Sequence, residues 1–143
     1  MVTIVDYEMG NVGSIQNMFK YIGVESKIES DPDKIRKASK ILLPGVGSFD
    51  TAMRKIKEKN LEEVLAEKAL KEQVPILGIC LGMQLLTSES EEGRLKGLGW
   101  IPAKTVSFKN RIDKRLKIPH MGWNIVKKSK ESSLTKGFEE FEE

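Results

Sequence analysis

The chain has 143 residues, 39% hydrophobic and 31% charged, with 24 basic against 21 acidic side chains for a net charge of +3. That length reads as one domain with a sizeable core, and so small a charge gives no argument for nucleic acid. No apolar run approaches the roughly 18 residues of a membrane span, the N-terminus opens on a strand-like run instead of a signal peptide, and a lone cysteine fits a reducing compartment, so no membrane and a cytoplasmic location are expected.

Residues 2–6 read as a buried first strand ending in a carboxylate, followed by the loop Tyr7-Glu8-Met9-Gly10-Asn11. Apolar residues then recur at Val12, Ile15, Met18, Phe19 and Ile22, a helical stripe closed by Gly23 as a C-terminal cap. Residues 24–30 alternate enough for a second strand, and Asp31-Pro32 caps and starts a short helix through Ala38. Lys40-Ile41-Leu42-Leu43 is a third strand, halted by Pro44-Gly45-Val46-Gly47. From Ser48 the pattern is helical, with Phe49, Met53 and Ile56 on one face. Asn60 then caps a further helix, with Glu63 in the capping-box position and Val64, Leu65 and Leu70 facing inward. Strands alternating with helices predict an α/β three-layer sandwich with a mostly parallel sheet covered on both faces. Chemistry in such sheets sits on loops leaving the carboxyl ends of strands, which selects residues 7–11, 44–49 and 78–82.

The last of these loops organises the rest. An apolar run, Val74-Pro75-Ile76-Leu77, reaches Gly78-Ile79-Cys80-Leu81-Gly82 and continues at once as a helix-forming Met83-Gln84-Leu85-Leu86. Gly-x-Cys-x-Gly at a strand-to-helix switch has the spacing of a nucleophile elbow, with small flanking residues and a strained, outward central residue. A lone cysteine in an apolar strand is ordinarily a small buried hydrophobe, but a core position has no need of glycine on both sides. At a helix N-terminus the dipole and unpaired N–H groups favour thiolate.

Beyond Thr87 the character changes. Residues 88–93 read as an acidic loop, and segments 98–101 and 105–108 as β structure with turns. Residues 109–117 are basic, with Lys109, Arg111, Lys114, Arg115 and Lys117 against Asp113. Such a run without interleaved aromatics is a solvated loop before it is a nucleic-acid site. Pro119-His120-Met121-Gly122-Trp123-Asn124 combines poor strand formers yet leads into Ile125-Val126; its plainest reading is a turn with a packed Trp. The tail, Phe138-Glu139-Glu140-Phe141-Glu142-Glu143, carries no evident cap, closing strand or final helix.

A thiolate nucleophile needs a base and donors for a developing oxyanion. Leu81 N–H follows the nucleophile, and the Pro44-Gly45-Val46-Gly47 loop could aim a second N–H at the same point. As a phosphate cradle that loop is weak, because no Lys-Ser or Lys-Thr pair follows it. His120, the only histidine, sits in a segment that looks more like a docking or structural loop than a dyad partner.

Pro44-Gly45-Val46-Gly47, the segment 78–86, Ser90-Glu91-Glu92, Gly97-Leu98-Gly99 and Pro119-His120-Met121-Gly122-Trp123-Asn124 occur in an order and at spacings that resemble class I glutamine amidotransferases. Within these, the match is to the glutaminase subunits of imidazole glycerol phosphate synthases, across essentially the whole chain. The resemblance implies that Cys80 attacks the side-chain amide of glutamine, releases ammonia and leaves a glutamyl thioester for water to resolve. It implies an oxyanion hole from Leu81 N–H and the Gly45-Val46 peptide, the second donor reached by a backbone flip. Gly47, Gln84 and Glu92 would hold the glutamine substrate, Glu92 at its α-ammonium group. Asn11, Pro119, His120, Met121, Gly122, Trp123 and Asn124 would face a (βα)₈-barrel cyclase that receives the ammonia, in a heterodimer of histidine biosynthesis. No cofactor or metal is expected.

One departure stands out. The family's triad histidine and glutamate lie in a His-x-Glu motif well beyond the segment 119–124, and residues 1–143 contain none, so they look like the N-terminal portion of such a domain. The chain alone is then expected to be inactive as a glutaminase. Alternatives are a paralogous subunit for amination of surface sugars, a non-catalytic module that binds a barrel partner, and another cysteine hydrolase such as an intracellular peptidase.

Overall fold

In a computed structural model of the chain, four short strands carry its first unit, Met1–Ser107. They are β1 (Val2–Val5), β2 (Ser26–Glu29), β3 (Ile41–Leu43) and β4 (Ile76–Gly78), paired in the order β2-β1-β3-β4 with every pairing parallel. Parallel neighbours cannot be joined by a tight turn, so each connection crosses over through helix. The structure describes all residues except 110, 114, 138–140 and 143, and at 134, 141 and 142 the backbone alone.

The crossovers are α1 (Val12–Tyr21), α2 (Pro32–Ile35), and α3 (Phe49–Glu58) followed by α4 (Leu61–Ala66). Because strand side chains alternate, Val5, Ile41 and Leu43 share one face. There they cluster with Ile35 of α2, with Phe49, Ala52, Met53 and Ile56 of α3, and with Leu61, Val64 and Leu65 of α4. Each fully buried aliphatic or aromatic side chain contributes about 2 kcal/mol of transfer free energy, so this face carries most of the unit's stability. Ile4 and Leu42, one residue out of step, are buried as well. The α1 helix lies against β1 and β2 and adds nothing to the main cluster. The three-layer α/β arrangement expected from the alternating pattern is therefore what forms.

The details of this unit depart from expectation in five places. No residue of α1 is buried, and Met18 and Ile22 of its apolar stripe are exposed. The helix covers only the outer pair of strands, which is narrower than the stripe. The helix begun by Asp31 ends at Ile35, short of Ala38, as the chain tightens into Lys37 N–H to Lys34 O (3.2 Å) and Ala38 N–H to Ile35 O (2.9 Å). Its cap forms as expected, with Asp31 Oδ1 accepting from Asp33 N–H at 2.9 Å.

The capping box at Asn60 does not form. With only Lys59 and Asn60 between α3 and α4, Asn60 takes a left-handed turn (φ 55°), and its side chain makes no cap hydrogen bond. Leu70 is also not inward. After α4 the chain widens into a π-helical turn, Glu67–Lys71, which shifts the phase. Lys68 is thereby buried and paired with Glu72 at 2.6 Å, while Leu70 is exposed. Finally, part of the expected acidic loop is a strand: β5 (Thr87–Ser90) pairs in parallel with β6 (Ile101–Thr105) after the helix α5 (Leu81–Leu85). Thr87 and Ser90 are buried, while Glu89 is exposed and paired with Lys104 on the neighbouring strand. A register irregularity between Thr87 and Glu89 lets both Thr87 and Ser90 be buried, and a cross-strand ion pair lets the acidic residue sit in the ladder.

The second unit, Phe108–Glu143, is described by itself. Its basic run has no regular structure in its described residues, Lys114 lying outside them, and Arg115 pairs with Asp113 at 2.6 Å. The tail, expected to lack a closing strand, supplies β8 (Phe141–Glu142), antiparallel to β7 (Val126–Lys127). Phe138, Glu139, Glu140 and Glu143 of that tail lie outside the described residues. Among the described residues no helix is long and apolar enough to cross a membrane.

Candidate active site

The β3–β4 pairing sets the loops that follow these strands side by side, with Leu43 opposite Gly78 and Ile79 N–H donating to Leu43 O at 3.1 Å. At the end of β4 the chain turns through Cys80 at φ 53°, ψ −116°, and enters α5 directly. That conformation costs an L-residue on the order of 1–3 kcal/mol. Both flanking glycines are obligatory because backbone meets backbone. A Cβ on Gly82 would collide with the Leu43 carbonyl, and one on Gly78 would lie 2.7 Å from Gly82 O and 2.8 Å from Met83 Cα. The expected elbow is thus present: Cys80 is exposed, unbridged and held strained at a strand-to-helix corner.

Leu81, the next residue, is buried. Gly82 N–H donates to Ile79 O at 2.9 Å and Met83 N–H to Cys80 O at 3.0 Å, whereas among the described residues Leu81 N–H makes no hydrogen bond. The Pro44-Gly45-Val46-Gly47 loop packs directly on this corner, since a Cβ on Gly45 would stand 3.2 Å from Leu81 Cβ and 3.3 Å from Gly82 N. Val46 is exposed, and Gly47 has φ +105°, a left-handed backbone that favours glycine.

The sequence did not single out Tyr7. It is fully buried, and its hydroxyl donates to the Pro44 carbonyl. Burial pushes that hydroxyl above its ordinary pKa, and its electrostatic interaction with nearby Cys80 adds to the shift. Its neighbour Glu8 reaches Lys55 on α3 at 2.6 Å and Lys59, which caps the end of that helix, at 2.8 Å. Hydrogen bonds from those ammonium groups, Lys55 first, hold the carboxyl down to a pKa of about 2.

Gln84 on α5 and Glu92 beyond β5 are joined through one buried residue. Ser90 Oγ donates to Gln84 Oε1 at 3.3 Å and accepts Glu92 N–H at 3.2 Å. Asp50 at the start of α3 then ties down the chain after Glu92, its Oδ1 accepting Arg94 N–H at 2.8 Å and Leu95 N–H at 3.0 Å. These two bonds, Leu95's the larger effect, lower the Asp50 pKa. Neither Ser90 nor Asp50 could be assigned from sequence: Ser90 acts through partners in two different segments, α5 and the turn after β5, and Asp50 finds its own 44 and 45 residues further on.

Asn11 caps α1, with Oδ1 accepting Ser14 N–H at 3.0 Å. In the second unit, the plain reading of a packed Trp123 fails: Trp123 is 90% exposed and Met121 84%. His120 Nε2 lies 3.3 Å from Asn124 Nδ2 within the same turn. Among the described residues no group of three or more His, Cys, Asp or Glu side chains is placed to hold a metal ion.

With this geometry in view, comparison with known proteins is decisive. The family model "Glutamine amidotransferase class-I" matches residues 3–143. The chain belongs to that family. Among amidotransferase relatives, it is 57% identical over 135 residues to "Imidazole glycerol phosphate synthase subunit HisH 2" of Methanococcus maripaludis, covering 94% of this chain and 66% of that one. It is 41% identical to the HisH 2 subunit of Pseudomonas aeruginosa (98% and 68% covered) and 48% identical to the HisH subunit of Sulfurimonas denitrificans (98% and 68%). The chain spans about two thirds of the length of these relatives. A solved "glutamine amidotransferase" shares the fold at TM-score 0.64 and 20% identity, covering 74% of this chain and 56% of that one. A "Putative Peptidase E Protein" of Listeria monocytogenes shares it at TM-score 0.54 and 14% identity, covering 71% and 62%. The amidotransferase fold is thus common to both, and the elbow sits on it.

Proposed function

We propose that Cys80 is the nucleophile of a glutaminase that serves imidazole glycerol phosphate synthesis in histidine biosynthesis. The carrying observation is the strained, exposed thiol between two glycines that backbone contacts require, in a chain this similar to synthase subunits. The thiolate attacks the side-chain amide carbon of glutamine, and an S–C bond forms as the carbonyl becomes an oxyanion. Leu81 N–H and the N–H of the Gly45-Val46 peptide stabilise that charge. Collapse expels the nitrogen, which needs a proton to leave as ammonia, and water then resolves the thioester. Gly47, Gln84 and Glu92 hold the substrate, with the Glu92 carboxylate suited to its α-ammonium group.

The deprotonating base is the missing function. The 143 residues contain no His-x-Glu, and His120 is engaged with Asn124 in its own turn. This polypeptide by itself should release ammonia orders of magnitude more slowly than a complete triad allows. Exposed Met121 and Trp123, with Asn11, are assigned to docking on a (βα)₈-barrel cyclase that receives the ammonia.

The test is covalent labelling by a γ-chloromethyl ketone analogue of L-glutamine, followed by mass spectrometry. The analogue should modify Cys80 and leave Cys80→Ala unmodified, with no glutamine-dependent ammonia from the isolated chain. Label elsewhere, or ammonia release that survives Cys80→Ala, refutes the assignment. Equal capture of the barrel partner by Trp123→Ala and the unaltered chain would remove the docking role.

A further inference from the structure

We infer that Tyr7 is a positioning residue for the oxyanion hole: by holding the Pro44 carbonyl, its hydroxyl fixes one end of the Gly45-Val46 peptide. This rests on the reading of Cys80 as a nucleophile toward glutamine. A tyrosine needed only for packing could be phenylalanine, and a buried hydroxyl left without a partner would be costly. Here the partner is the carbonyl at the entrance of the loop that faces the elbow. β1 and β3 are adjacent and parallel, so the loops leaving them run side by side.

The two loops are in backbone contact as well. A Cβ on Gly10 would lie 3.5 Å from Gly45 Cα and 3.6 Å from Gly45 N, and a Cβ on Gly45 would collide with the Tyr7 hydroxyl. The space beside Gly45 is therefore filled jointly by Tyr7, Leu81 and Gly82. Glu8 holds the Tyr7 loop to α3 through Lys55 and Lys59, and α3 begins just after the loop that Tyr7 grips. With the Pro44-Gly45 peptide pinned, rotation concentrates in the next peptide, between Gly45 and the exposed Val46. A pinned pivot limits that N–H to few orientations, which is how a donor is preorganised instead of being recruited at random. Burial keeps the hydroxyl protonated, so it remains a donor at neutral and alkaline pH.

The experiment compares two reagents on the full chain at alkaline pH, where neither needs a catalytic base. The γ-chloromethyl ketone of L-glutamine places its carbonyl oxygen where the amide oxygen would sit. Iodoacetamide reacts by displacement at a saturated carbon, without using the hole. Tyr7→Phe should slow ketone labelling of Cys80 about 10-fold, less than the roughly 10²–10³ that follows deletion of an oxyanion donor, and leave the iodoacetamide rate within about 2-fold. Hydrogen exchange at the Val46 amide should rise while β1 and β3 keep their protection. Should Tyr7→Phe not fold, Tyr7→Met, which fills space without a donor, takes its place under the same criteria. Unchanged ketone labelling, or an equal fall with both reagents, overturns the role of Tyr7. Failure of the unaltered chain to prefer the L-ketone over its D-enantiomer would instead overturn the glutaminase reading, and with it this one.

Discussion

Replacing Gly82 by alanine should damage both fold and site. The added Cβ would collide with Leu43 O and stand 2.7 Å from Leu43 C and 3.2 Å from Pro44 C. These are backbone atoms of β3 and of the loop after it, so no rotamer change relieves the contact. Overpacking against side chains costs about 1–3 kcal/mol, and an obstacle that cannot rotate away puts this substitution at the upper end, about 3 kcal/mol. For a chain of this size that lowers the melting temperature by about 10 °C. A useful control is Gly23→Ala, where φ is +71° but nothing lies within 4 Å. Only the left-handed backbone penalty of about 1 kcal/mol applies there, for a drop of about 4 °C. Thermal melts followed by circular dichroism compare the two. A Gly82→Ala protein that melts no lower than Gly23→Ala would refute the close approach of elbow and loop.

Cys80→Gly should relieve the strained φ of 53° and raise stability by about 1 kcal/mol while abolishing labelling, whereas Cys80→Ala should give no such gain; urea midpoints distinguish them. The Glu8 carboxyl lies at about 2 in the folded chain against an ordinary 4.5, so its stabilising contribution is complete above about pH 4.5 and lost as pH falls toward 2. Melting temperatures of Glu8→Gln should show a flatter dependence across that window, and parallel curves for the two proteins would count against the Lys55–Glu8–Lys59 cluster. Ser90→Ala removes the link between Gln84 and Glu92. It should weaken protection of Cys80 by L-glutamine several-fold without altering its iodoacetamide rate, as measured by competition labelling.

What could be read from residues alone follows from how local the cause is. The elbow was legible because two glycines around a cysteine, between a β-branched run and helix formers, fit a tight strand-to-helix corner and little else. The α3 face was legible for the same reason, as Phe49, Met53 and Ile56 repeat at helical spacing and all three are buried. Misreadings arose where a neighbour overrides the pattern. The π-helical turn after Ala66 reverses the expected facing of Leu70 and buries Lys68 in its stead. Pairing with β6 turns the acidic residues around Glu89 into a strand. Tyr7 was invisible because its role depends on a carbonyl 37 residues away, and periodicity within one segment carries no information about such a partner.

The most direct check is the rate at which iodoacetamide alkylates Cys80 in the unaltered chain, with and without free L-glutamine. Occupancy beside an exposed thiol should slow alkylation in a saturable way, with D-glutamine giving no protection. A rate indifferent to L-glutamine would mean that the corner holding Cys80 is not a glutamine site.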